Sequence, residues 1–231
     1  MRLVLFDVDG TLITARGAGR RAIKRALERV FGTTGSLEGY DMSGKTDPRI
    51  VLEVMAGAGL EGEAVKERLD EFFEAYARTL TEEIGDGRDI VTMPGVADLV
   101  RLLATAADVV LGLLTGNIEE GARIKLGPTG LLPYFTLGAF GSDDPDRRRL
   151  PSLAARRAHA LIGHPFRPGE VFVVGDTPHD IDCARAFGAV AVAVATGRFT
   201  GEQLLGERPD LLFEDFSDAA RVAAALLGHQ R

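Results

Sequence analysis

Three short segments of this 231-residue chain carry the side chains that could do chemistry. They are Asp7-Val8-Asp9-Gly10-Thr11, Thr115-Gly116-Asn117 and Gly175-Asp176-Thr177-Pro178-His179-Asp180. Each follows an apolar run. Together they offer the carboxylates of Asp7, Asp9, Asp176 and Asp180 and the hydroxyl of Thr115. Carboxylates drawn out of water repel one another and need a partner. Few basic residues adjoin these segments, so a hard cation is the simplest partner. Mg²⁺ prefers oxygen ligands and keeps waters and phosphate oxygens in its shell. Taken singly, Asp9-Gly10 is a plain turn, and Asp176 and Asp180 are plain helix caps. Turns and caps do not explain why the same chemistry recurs at three such places.

The elements that position these segments can be read from the apolar pattern. Residues 3–6 form a short apolar run that stops at the Asp9-Gly10 turn, as a buried strand does. From about residue 17 to 84 the period is helical. Ala22, Ile23, Ala26, Leu27 and Val30 recur at three and four, as do Ile50, Val51, Val54 and Met55, and then Val65, Leu69, Phe72, Phe73, Tyr76 and Leu80. Asp47-Pro48 predicts a helix start, with Asp47 as N-cap and Pro48 first in the helix. Beyond residue 94 strands and helices alternate. Strands are predicted at 109–114, 135–140, 171–174, 190–195 and 211–213, and helices at 96–103, from 119, 153–162, 181–187 and 217–227. Continuous apolar strands alternating with helices predict an α/β fold, a Rossmann-like parallel sheet covered on both faces. The helical block interrupts it, so residues 1–14 and 88–231 should form the core domain and 15–87 an inserted all-helical cap. In such sheets ligands bind beyond the carboxyl ends of the strands, which is where the three segments fall.

Composition narrows the function classes. A net charge of −7 leaves no basic face for a nucleic-acid backbone. The one cysteine, Cys183, lies in a helical pattern beside Ala184 and Ala186 and reads as a packed side chain. No cysteine–histidine cluster has zinc spacing, and His159, His164, His179 and His229 are not paired as ligands. His179 is expected at the surface. Asp7 and Asp9 break the N-terminal apolar run before a secretory core could form, and no stretch reaches membrane-spanning length. The cytoplasm is the expected compartment, with monomer and homodimer both open. Gly17-Ala18-Gly19-Arg20-Arg21-Ala22 imitates a dinucleotide fingerprint, but the Asp-rich loop separates it from the strand, so it reads as a glycine-rich entry to a helix.

With its motifs at strand ends, the sequence resembles the haloacid dehalogenase superfamily, and within it phosphoglycolate-phosphatase-like members with a helical cap after the first strand. The resemblance covers essentially the whole chain. It rests on Asp-x-Asp-Gly-Thr at 7–11, Leu-Thr-Gly-Asn at 114–117 and Gly-Asp-x-x-x-Asp at 175–180, and extends to Gly44-Lys45-Thr46-Asp47. It implies a Mg²⁺-dependent phosphatase acting on a small phosphorylated metabolite. By position in the motifs, Asp7 would be the nucleophile that forms an aspartyl-phosphate. Asp9 would protonate the leaving alkoxide and later deprotonate water. Thr115 would hydrogen-bond a phosphoryl oxygen, with the Val8 and Gly116 N–H groups beside it and Thr11 and Asn117 at the phosphate end. Asp7, Asp176, the Asp9 carbonyl and, through water, Asp180 would hold Mg²⁺.

One departure stands out. The superfamily places a lysine before its last motif, and no lysine follows Lys125 here. Arg147 and Arg148 in the Asp146-Arg147-Arg148-Arg149 run are candidates, as is Lys125, two helical turns past Thr115. Lys45, Thr46, Asp47 and Arg49 are the cap residues expected to face the substrate, with Lys45 and Arg49 able to meet an acidic leaving group. Residues 14–19 would form the hinge. A dehalogenase of the superfamily would not need Asp9, since halide leaves without a proton. A phosphosugar mutase would carry a cap histidine where Gly19 and Arg20 stand. A binding-only relative is the alternative from another class.

Overall fold

The computed structural model describes residues 1–60 and 62–228. The expected position at His229 lies outside them. Strand β1 (Arg2–Phe6) is followed by the short β2 (Ile13–Thr14) and four helices, α1 (Ala18–Phe31), α2 (Asp47–Ala56), α3 (Gly62–Lys66) and α4 (Leu69–Ile84). Then come β3 (Val91–Thr92), α5 (Val96–Ala104), β4 (Val109–Thr115), α6 (Glu119–Leu126), β5 (Leu137–Phe140) and α7 (Leu150–Ile162). The chain continues through β6 (Val171–Gly175), α8 (Pro178–Phe187), β7 (Val190–Val194), α9 (Gly201–Gly206), β8 (Leu211–Phe213) and α10 (Ala219–Gly228).

The main sheet has the order β5-β4-β1-β6-β7-β8 and all its pairings are parallel. Alternate residues of β1 enter opposite cores, which is why its sequence is apolar throughout. Val4 and Phe6 pack with α5, α6 and α10 on one face, through Leu99, Leu103, Ala122 and Val222. Leu3 and Leu5 pack with α7, α8 and α9 on the other, through Ala154, Ala158, Ile181 and Leu204. Phe6 is level with Leu113 of β4 and Val174 of β6. The residues just past those three positions are Asp7, Thr115 and Asp176, so the register itself gathers the three segments at one edge of the sheet. The chain reverses direction across the sheet at β1, the kind of switch point where ligands bind in α/β folds.

The helical block has its own core, in which Ile23, Leu27, Val54, Phe72, Tyr76 and Leu80 are fully or almost fully buried. Phe72 stacks on Tyr76 one turn along α4, with ring centroids 6.0 Å apart and planes at 14°. The block leaves and rejoins the core through a two-stranded antiparallel ribbon, Ile13 opposite Thr92 and Thr14 opposite Val91. Strands this short carry no sequence period and were not expected. Gly17 enters α1 with φ of 80°, a left-handed conformation.

Several boundaries differ from expectation for local reasons. Thr46, not Asp47, is the N-cap of α2; its hydroxyl accepts from Arg49 N–H, while Asp47 and Pro48 are helical. Asp47 is not free to cap because its carboxylate is engaged by the core. Strand β5 starts at Leu137 because residues 132–134 form a 3₁₀ turn. Helix α7 starts at Leu150, and α8 at Pro178, where the Asp180 carboxylate reaches back to accept from Thr177 N–H and Oγ1. Helix α10 begins at Ala219 rather than 217. No described helix is long and apolar enough to cross a membrane.

The stacked Phe72 is the test of the helical block's packing. Phe72→Ala is expected to cost about 3–5 kcal/mol of unfolding free energy through the cavity it leaves, read from urea denaturation. A loss under about 1 kcal/mol, the scale of an ordinary surface change, would contradict that packing.

Candidate active site

Asp7 leaves β1 with its N–H on the Val174 carbonyl at 2.9 Å, which fixes it beside β6. Asp176 follows β6, and Asp180 sits in the first turn of α8. All three are buried, and one oxygen from each lies within 4.8 Å of the others. Their orientation is set by neighbours. Thr11 Oγ1 donates to Asp176 Oδ1 at 2.9 Å. Thr177 N–H and Oγ1 donate to Asp180 Oδ2 at 3.0 and 2.7 Å, leaving Oδ1 for the cluster. Gly10, at φ of 83°, lets the loop close over this group; a Cβ there would stand 2.4 Å from Asp176 Oδ2.

Arg147 is the cation among these acids. It is 6% exposed and lies in a 3₁₀ turn before α7. One terminal nitrogen reaches Asp7 Oδ1 at 3.2 Å and also pairs with Asp180 Oδ1; the other donates to the Gly44 carbonyl at 3.0 Å. Its buried Nε–H has no partner among the described residues. Arg148 instead stays on the surface with Asp146.

Lys125 is 4% exposed, although an outward-facing helix lysine would be solvated. Its Nζ donates to Asp9 Oδ2 and to Asn117 Oδ1, both at 2.6 Å. The Asn117 amide donates to Asp9 Oδ2 at 2.8 Å and to Thr115 Oγ1 at 2.7 Å. Asp9 thus belongs to a second group with Lys125 and Asn117, and its carboxylate is not one of the clustered three.

The charge balance follows. Burial pushes Asp7 up to about 6; Arg147 opposes this, while Asp180 and Asp9 add to it. Burial, then Asp180 and Asp7, holds Asp176 well above the usual carboxylate range. Burial disfavours the charge on Arg147, but Asp180 and Asp7 raise its pKa above the ordinary value. Burial pushes the Cys183 thiol up to about 12, so this side chain is packed and not a nucleophile. Three buried acids against one arginine leave negative charge uncompensated if all ionise. Clustered carboxylate oxygens with that excess fit a hard divalent cation.

A cavity of about 340 Å³ opens on this site, walled by Asp7, Asp9, Thr115, Gly116, Asn117 and Lys125 from the core. From the helical block come Gly19, Arg20, Lys45, Asp47 and Tyr76. The cap residues divide. Lys45 lines the cavity, but its Nζ donates to Tyr40 Oη and Glu53 Oε2, both at 2.7 Å. Arg49 donates to the other Glu53 oxygen at 2.6 Å and does not line the cavity. Partial burial would raise Glu53, yet its bonds from Lys45, Tyr40 and Arg49 take it down to about 2. Thr46 is fully buried, donating to the Pro145 carbonyl at 2.8 Å. Thr11 faces Asp176 and also lies outside the cavity lining. His179, expected at the surface, is half-buried against Gly44, and burial lowers its pKa. Arg20 and Tyr76 were not anticipated as wall residues: Tyr76 reads as core from its period, and Arg20 as an ordinary helix residue.

Comparison with known proteins bears on family and fold. A family model described as haloacid dehalogenase-like hydrolase matches residues 4–185. A phosphoglycolate phosphatase of Synechococcus elongatus is 33% identical over 98% of this chain and 99% of its own. Among solved structures, a HAD hydrolase of Entamoeba histolytica superposes with a TM-score of 0.70 at 20% identity, covering 99% of this chain and 100% of that one. A hydrolase from Pseudomonas syringae gives 0.69 at 22% identity, covering 96% and 97%. The likeness to these two is one of fold.

Asp47 provides a pH test of the site. Burial raises it to about 6, against the attraction of Lys125 and the bond from Ile118 N–H. With a folded pKa above the unfolded 3.8, Asp47 costs nothing below pH 3.8 and destabilises the fold as pH rises through about 6. Between about pH 4 and pH 7, the stability of Asp47→Asn relative to wild type should therefore rise by about 3 kcal/mol. Urea melts of both proteins in EDTA measure it; a difference independent of pH would mean that Asp47 is not buried as an acid.

Proposed function

The chain belongs to the haloacid dehalogenase-like hydrolase family, and on that premise we propose that it is a Mg²⁺-dependent phosphatase of small, anionic phosphomonoesters. The observation that carries this is the meeting of Asp7, Asp176 and Arg147 in the wall of one cavity, with Asp180 clustered against them and Asp9 held by Lys125 beside them. The near full-length likeness to a phosphoglycolate phosphatase supports phosphoglycolate as a member of the substrate class.

Arg147 holds Asp7 Oδ1, which leaves Oδ2 to attack phosphorus. The new bond is Asp7 Oδ2–P; the bond that breaks is P–O to the leaving group. Asp9 gives its proton to that leaving oxygen. Lys125 and Asn117 both donate to Asp9 Oδ2, so Oδ1 is the oxygen turned to the substrate. Water then attacks the phosphorus of the aspartyl-phosphate while Asp9 takes its proton, and inorganic phosphate leaves with Asp7 restored. Thr115 Oγ1 already accepts from Asn117, so its own proton is free for a phosphoryl oxygen. Asp7, Asp176 and Asp180, with the Asp9 carbonyl, would hold Mg²⁺, which when bound offsets the repulsion between nucleophile and substrate anion. Lys45 is neutralised by Glu53, so Arg20, whose terminal nitrogens rest on the Tyr40 and Leu37 carbonyls, is the wall cation with no acidic partner among the described residues and would draw an acidic leaving group. Residues 15–87 act as the cap that excludes water during transfer.

Phosphate release from a panel of small monoesters, phosphoglycolate included, should require Mg²⁺ and stop in EDTA. Asp7→Asn should remain folded by circular dichroism and lose on the order of 10³-fold or more in kcat. Release that survives EDTA, or a fully active Asp7→Asn, would overturn the mechanism.

A further inference from the structure

Asp47 is a cap residue whose bonds all go to the core. Its N–H donates to the Gly116 carbonyl at 2.7 Å, and its Oδ2 accepts from the Ile118 N–H at 2.8 Å. It therefore grips the backbone on both sides of Asn117. Asn117 is the side chain that joins Thr115 to Asp9, and its own carbonyl accepts from Gly141 N–H at 2.8 Å. The approach is tight. A Cβ on Gly116 would stand 2.1 Å from the Lys45 carbonyl oxygen, and one on Gly141 would stand 2.0 Å from the Gly116 oxygen. Thr46, next in the chain, ties the same segment to Pro145, and Arg147 ties Gly44. Asp47 is 5% exposed and helical, so it is not placed there to cap α2.

We infer that Asp47 is a positioning residue: by bracketing Asn117 from the cap, it orients Asp9 for proton transfer to the leaving group. This rests on the phosphatase reading above. Asp47 touches no reacting atom in this scheme. It acts through the 116–118 backbone, then Asn117, then Asp9. The proton donor is thus in register only when the cap segment is docked on the core.

A residue that sets the proton donor matters in proportion to the leaving group's need for a proton. An alkyl phosphate needs one; p-nitrophenyl phosphate needs almost none. The measurement is kcat/KM, which reports the step that forms the Asp7–phosphorus bond, for both esters with Mg²⁺. Asp47→Ser is too short to reach Ile118 N–H. It should lose about 30-fold or more on the alkyl ester and less than about threefold on the aryl ester, within the 10²–10⁴ range of general acid catalysis. Asp47→Asn keeps an acceptor for Ile118 N–H and should restore the wild-type ratio of the two esters. Should the serine variant not fold, Asp47→Ala carries the same comparison. Equal losses on both esters, no loss on either, or an asparagine variant that behaves like serine would each remove Asp47 from this role. No turnover of either ester by the wild-type protein would instead sink the phosphatase reading, and this inference with it.

Discussion

Three carboxylates with oxygens inside 4.8 Å of one another are a burden that the rest of the molecule is built to carry. Each lost its water on folding, and each raises the cost of ionising the next. Burial raises both Asp7 and Asp176, so ionising the two together is costly without a compensating charge. The protein meets the cost in two ways. Arg147 is buried among the acids despite its own desolvation. Thr11 and Thr177 donate to the outward oxygens of Asp176 and Asp180. What remains is a negative deficit of the size a divalent cation supplies, and that deficit is the strongest physical argument for metal at this place.

The parallel sheet creates the burden. Because β4 and β6 flank β1 in register, three chain segments end at the same level and point their next residues into the same space. A fold of this kind concentrates loop chemistry at one edge. Here the Asp7–Asp176–Asp180 group lies on the β1–β6 side, and the Asp9–Asn117–Thr115–Lys125 group spans toward β4. Two neighbouring carboxylates of one five-residue motif, Asp7 and Asp9, thereby receive opposite company: fellow acids for one, a lysine and an amide for the other. That separation would suit the proposed division of roles, Asp7 as nucleophile and Asp9 as proton carrier.

Much of this was legible in the residues. The apolar runs before Asp7, Thr115 and Asp176 predict buried strands because a strand covered on both faces must be apolar on both. The acidic motifs then fall at strand ends without further argument. What was not legible depends on long-range company. Simple spacing from Thr115 favours Arg148 and the likeness to relatives favours Arg147; a 3₁₀ turn, not a regular helix, decides that Arg147 points inward. Lys125 reads as a solvated helix residue unless the partner 116 positions away is known. Lys45 and Arg49 read as free cations for a substrate, but Glu53, one turn along α2, takes both. Asp47 looks like a helix cap by local rule, and only the packed structure gives its carboxylate to Ile118.

An arginine rather than a lysine among these acids has a geometric consequence. A lysine offers one nitrogen, and that nitrogen cannot face the acids and a cap carbonyl on opposite sides at once. The Arg147 guanidinium does so: one terminal nitrogen serves Asp7 and Asp180, and the other holds the Gly44 carbonyl of the docked cap segment. The compact ammonium is used elsewhere, on Lys125, where a single point must meet two oxygens at 2.6 Å. The two cations therefore differ by shape: the flat fork of Arg147 bridges Asp7 and the Gly44 carbonyl of the helical block, and the point charge of Lys125 ties Asp9 to Asn117. Because the cap segment also grips the backbone around Asn117, both groups share one mechanical support. Residues 44–47 thus touch the surroundings of Asp7 through Arg147 and those of Asp9 through the backbone around Asn117.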